Sequence, residues 1–148
     1  MKKLLFGLPA ALAIIIFTAL SPALASEVHK LAIQVSDNDP KTMTKVLNVV
    51  TNVARDFSER GEELEIEVVA YNAGLHLLRS DTSPVADRVT NISKSMHNVA
   101  FSACGNTIKG MTKKEGKEPP IMDFANHVPA GVIRLMELDK AGYTIIRP

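Results

Sequence analysis

Cysteine is nearly absent from this chain: its 148 residues include one, Cys104. An internal disulfide is excluded, so the thiol is a buried inert group, an intermolecular bridge or a reactive centre. There is no tryptophan, aromatics make up 5 % of residues, and the formal net charge is +1. A near-neutral chain with so few rings lacks both the basic field and the stacking surfaces of a nucleic-acid binder. Several motifs are missing too. No GxGxxG marks a dinucleotide site, no GxSxG a serine hydrolase, and His29, His76, His97 and His127 show no metal-ligand spacing such as HxxxH. The expectation is therefore no cofactor, no metal, no NAD(P) chemistry and no hydrolysis of the serine type.

Long apolar runs are confined to the start. Lys2 and Lys3 precede an apolar stretch from Leu4 to Leu20, and Ala23-Leu24-Ala25 has the small-x-small pattern of a signal-peptidase site. The stretch is long for a signal peptide, and an uncleaved anchor is the alternative. Pro9, Pro22 and the cleavage pattern favour a signal peptide over residues 1–25, cut after Ala25. Removing those residues, with two lysines and no acid, leaves 123 residues and a charge of −1. The expected product is a periplasmic or secreted single domain over 26–148, large enough for an ordinary hydrophobic core.

What remains alternates between strand and helix patterns. His29 to Ser36 reads as a strand; Asp37 to Asp39 break it, and Pro40 suits a first helical position. Met43, Val46, Leu47, Val50, Val53, Ala54 and Phe57 lie on one helix face, closed by Glu59, Arg60 and a capping Gly61. Leu64 to Tyr71 is a second strand, apolar on both faces in its second half, as parallel strands covered by helices are. Ala73 to Leu78 is a short apolar connection. Ser83 and Pro84 begin a helix with Val85, Val89, Ile92 and Met96 as its stripe, and Asn98 to Cys104 is the third strand. A polar helix or turn over Asn106 to Lys114 follows, then a charged loop, Lys113 to Pro120, and a short strand at Ile121 to Phe124. Pro129 opens a last helix burying Val132, Leu135, Met136 and Leu138, and Tyr143 to Arg147 is the final strand. The pattern predicts an α/β fold: a three-layer domain around a mostly parallel sheet of about five strands, in the flavodoxin-like topology class.

In such sheets ligands bind beyond the carboxyl ends of the strands. Those ends carry Asp37 and Asn38, Tyr71 and Asn72, and Cys104. Gly105 lets the backbone turn there, and Asn106 or Thr107 can cap the next helix. A thiol at a helix N-terminus is acidified by free amides and the helix dipole, with Lys109 near in sequence. His76 and His127 lie in connections able to approach it. Gly105 to Thr112 also spells GxxxxG, but Met111 stands where a phosphate loop has lysine, which argues against nucleotide binding.

Three segments, IEVVAYNAGLHLL (65–78), VAFSACGNTIKGM (99–111) and GVIRLMELDKAGYTIIRP (131–148), together resemble the DsrE-like superfamily, also called the DsrE/DsrF or YchN-like fold. The resemblance implies a compact α/β domain assembled as a homo-oligomer, a trimer or hexamer. It also implies a place in sulfur relay, with Cys104 carrying a persulfide between a sulfur donor and an acceptor protein. Asn72, Tyr71 and His76, with Gly105 and Asn106, are the candidate pocket residues by topology. The alternative is a non-catalytic oligomeric ligand-binding or assembly module. In it Cys104 is structural, and Leu75, Leu77 and Leu78 bury themselves between subunits.

Overall fold

The computed structural model describes residues 28–148, so the expected signal segment lies outside the described residues. Five strands form one sheet: β1 (His29–Val35), β2 (Leu64–Ala70), β3 (Val99–Cys104), β4 (Asn126–Val128) and β5 (Thr144–Ile146). All neighbours are parallel, in the order β4-β3-β2-β1-β5. This is the α/β class expected from the sequence. The strand order is its own, since flavodoxin-like sheets run 2-1-3-4-5.

The helices are α1 (Pro40–Glu59), α2 (Ala86–Ser95), α3 (Gly105–Glu115) and α4 (Gly131–Lys140). The apolar connection after β2 is a 3₁₀ helix over Asn72–Leu78. The start of α1 follows from its sequence. The Asp39 carboxylate accepts from the Lys41 and Thr42 amides at 3.1 and 3.2 Å, and Pro40 occupies the first turn. Gly61, at φ +67°, takes the left-handed conformation that ends the helix. Met43, Val46, Leu47 and Val50 are fully buried, each contributing roughly 1.5–3 kcal/mol of transfer free energy.

Handedness explains where the helices lie. From β1 to β4 the chain steps across the sheet in one direction, so right-handed crossovers put α1, the 3₁₀ helix, α2 and α3 on one face. There they enclose the main core with Ile33, Val35, Val68 and Phe101. From β4 the chain returns to the far edge, and the same handedness puts α4 on the opposite face. Leu135 and Leu138 pack there on Ala32 and Val69 in a second, much smaller cluster.

Four local expectations are corrected. The fourth strand is Asn126–Val128 and not Ile121 to Phe124; Ile121 forms an isolated antiparallel bridge with Arg79. Leu75, Leu77 and Leu78 are wholly buried in the chain's own core, which leaves them nothing to offer a second subunit. Val132 and Met136 face outward, each 53 % exposed, because a single helix laid on a sheet buries only its inner stripe. Lys113 and Lys114 belong to the last turn of α3, which ends at Gly116 (φ +74°).

Candidate functional site

Cys104 is the last residue of β3 and the cap residue of α3, with no linker between strand and helix. That abrupt junction removes the phosphate-loop reading, since Gly105 to Gly110 is helix and not a loop around an anion. Gly105 has no positive φ. What it provides is room, since a Cβ there would stand 3.1 Å from the Val128 carbonyl oxygen of the neighbouring strand.

The exits from β3 and β4 go to opposite faces, α3 to one and α4 to the other. The crevice between them is the topological switch point of the sheet, the place where open α/β folds bind ligands. A pocket of about 510 Å³ opens there. Cys104, Tyr71 and Asn72 line it from the strand ends, Asn106, Thr107 and Lys114 from α3, and Gly131 and Val132 from α4. Two helix N-termini therefore meet at the thiol. The Asn106 amide donates to the Pro129 carbonyl at 3.2 Å, tying the two helix starts together.

Cys104 is 5 % exposed, and its Sγ accepts the Gly131 amide proton at 3.2 Å. Burial pushes the thiol pKa up. The Thr107 hydroxyl and the Gly131, Thr107 and Asn106 amides outweigh it, so the thiol lies below its ordinary value. Thr107 is itself held, because its Oγ1 accepts the Asn72 amide proton at 2.9 Å. Asn72 adopts φ +49°, a left-handed conformation that asparagine tolerates better than most residues. A Cβ on Gly131 would come 2.8 Å from the Tyr71 Cβ, so α4 approaches β2 as closely as a glycine allows. The Tyr71 hydroxyl in turn accepts a hydrogen bond from the Gln34 amide.

Beneath the pocket lies a charged cluster on the same sheet face. Glu67, 5 % exposed, accepts from the Ser102 hydroxyl at 2.6 Å and from both ends of the Arg134 guanidinium at 2.8 and 2.7 Å. Burial pushes the Glu67 carboxyl up, but the bonds from Arg134 and Ser102 overcome this and hold it below the usual range.

Of the residues singled out from sequence, Cys104, Tyr71, Asn72 and Asn106 are brought together, with Gly105 in the backbone beside them. His76 is not: it sits on the 3₁₀ helix with its Nδ1 2.7 Å from the Thr82 hydroxyl. His127 lines a separate hollow with Glu118 and Asp123, and Lys109 is exposed away from the pocket. The lysine that lines the pocket is Lys114, five residues further along α3. Sequence reasoning missed Gly131, Lys114 and the Glu67–Arg134 pair. Glu67 had a signal, a carboxylate facing inward on a strand otherwise apolar there. Among the described residues no group of three or more His, Cys, Asp or Glu is placed to hold a metal ion.

No protein-family model matches the chain, and no curated protein matches it. Among solved structures, the chain is similar to MTH1491 from Methanobacterium thermoautotrophicum, described as a protein of unknown function. The match has a TM-score of 0.69 at 26 % identity and covers 81 % of this chain and 99 % of that one. The small α/β architecture is thus shared by a protein to which no activity is assigned.

Proposed function

We propose that this protein is an exported DsrE-like sulfur carrier, in which Cys104 accepts sulfane sulfur as a persulfide and hands it to a partner. One observation carries the reading. The sole thiol stands in a pocket at the switch point of the sheet, held by the Gly131 amide at 3.2 Å and acidified by hydrogen-bond donors from two helix starts. The thiolate attacks the outer sulfur of a persulfide, polysulfide or thiosulfate. A new S–S bond forms on Cys104, the donor's S–S bond breaks, and its electron pair leaves with a thiolate, or with sulfite in the case of thiosulfate. An acceptor thiolate then takes the terminal sulfur and restores the Cys104 thiolate. The amides of the two helix starts offset the negative charge of the bound persulfide. The lysine-bearing leader and cleavage pattern support export. The outward Val132, Ile133 and Met136 support self-association, and the trimer or hexamer size is what the DsrE-like resemblance implies.

Intact-mass spectrometry after incubation with polysulfide or thiosulfate tests the reading. Wild type gains one or more sulfur masses, removable by reductant, and Cys104→Ser gains none. A second reading, an assembly or ligand-binding module with a structural thiol, is favoured by the 5 % exposure of Cys104. It requires that the native thiol resist both sulfur and alkylating reagents until the protein is denatured.

A further inference from the structure

The Gly131–Cys104 contact depends on where α4 lies along the sheet, and beyond the close approach of Gly131 to Tyr71 little apolar packing fixes that position. Among the described residues α4 is the only helix on its face, and its buried anchors are Leu135 and Leu138 on Ala32 and Val69. Apolar burial is non-directional, so it holds the helix down without setting its axial position. A planar guanidinium paired through two bonds to one carboxylate is directional.

Arg134 stands one turn beyond Gly131 on α4. It forks onto Glu67 of the central strand β2 at 2.8 and 2.7 Å, and Glu67 takes the Ser102 hydroxyl of β3 at 2.6 Å. Ser102 and Cys104 are two residues apart on one strand and share a face. The contacts form a closed circuit: β3 to β2 through Ser102 and Glu67, β2 to α4 through Arg134, and α4 back to β3 through Gly131 and Cys104. We infer that Glu67 and Arg134 are positioning residues for the thiol, holding the start of α4 where the Gly131 amide reaches Cys104 Sγ. This role rests on reading Cys104 as the working thiol. It extends that reading by making thiol reactivity depend on an ion pair outside the pocket.

The titratable side chains lining the pocket are Tyr71 and Lys114, besides Cys104 itself; Tyr71 packs against Gly131, but its hydroxyl bonds to Gln34 and not to a member of the circuit. A shift in the thiol's titration on changing Arg134 therefore reports the position of α4 or the through-space charge of Arg134. Arg134→Lys separates the two, because lysine keeps the charge and loses the fork. The experiment follows the rate of Cys104 alkylation by iodoacetamide against pH in the full chain, for wild type, Arg134→Lys, Glu67→Gln and Val50→Ala. Val50→Ala lies in the core of the other face and controls for lost stability.

Positioning predicts that Arg134→Lys and Glu67→Gln move the titration midpoint upward and slow alkylation at neutral pH about tenfold, the worth of one hydrogen bond to a charged group. Val50→Ala leaves the profile where it was. An Arg134→Lys profile equal to wild type overturns the inference, as does a wild-type thiol titrating like a free cysteine. If Glu67→Gln fails to fold, Arg134→Lys decides by itself, since Arg134 is partly exposed. Sulfur loading is a separate readout. Lack of an adduct alongside a shifted profile defeats the carrier reading alone, and an adduct with an unshifted profile defeats the positioning role alone.

Discussion

Gly74 sits where the 3₁₀ helix presses on the end of β1. A Cβ there would stand 2.3 Å from the Val35 carbonyl oxygen and 2.7 Å from the Ser36 nitrogen. The obstacle is backbone paired in the sheet, so it cannot turn aside as a side chain could. Gly74→Ala should therefore cost about 3 kcal/mol, the upper range for overpacking, as read by urea unfolding. The Gly74 amide also donates to the Tyr71 carbonyl at 3.0 Å, so the strain is passed to the pocket wall. A near-neutral effect would mean that this connection has room to move.

At the scale of elements, charged clasps join parts that apolar packing leaves loose. Arg79, 3 % exposed, pairs with Asp81 at 2.8 Å and with Glu115 at 2.6 Å, pinning the C-terminal turn of α3 to the end of the 3₁₀ helix. The Arg79 guanidinium holds the Asp81 carboxyl down at about 2, and keeps that of Glu115 low as well. Glu67 is low for the reasons given above. For each carboxylate the folded value lies below the unfolded one, so the unfolded chain binds more protons in acid, and stability rises with pH there. The stabilisation is fully present above the unfolded range, about pH 4. It is lost as pH falls through the folded values, down to about 2 for Asp81. Urea midpoints should be flat from pH 7 to 5 and drop steeply below pH 4. Arg79→Met should lower the midpoint at pH 7 and flatten the acid limb, because Asp81 and Glu115 then titrate near their unfolded values. An unchanged acid limb would place the pH sensitivity elsewhere.

For the whole molecule, the reversal of direction after β4 decides most. It sends one helix to a face that would otherwise carry none, creates the crevice holding Cys104, and leaves Val132, Ile133 and Met136 facing out at 53 % exposure each. Three large apolar side chains within five residues form a patch suited to a second copy of the chain. Met136→Glu should shift the protein to a smaller species in sedimentation equilibrium without lowering sulfur loading by Cys104 in dilute solution. Identical mass for wild type and variant would show that this patch binds no second copy.

Much of this was legible in the sequence because it is local. Asp39 and Pro40 begin α1, the spacing of Met43 to Phe57 faces it inward, and the double-sided apolar run ending at Ala70 marks a covered parallel strand. The position of Cys104 at a strand end followed from the same short-range rules. Strand order was not legible, because no local pattern records which neighbour a strand takes. Nor was the outward turn of Val132 and Met136, since helical spacing gives a stripe but not its width. Only tertiary structure brought Gly131 to a thiol 27 residues away and Arg134 to a glutamate 67 residues away. Those contacts exist because right-handed crossovers, followed by one reversal of direction, fold distant residues onto a single sheet face.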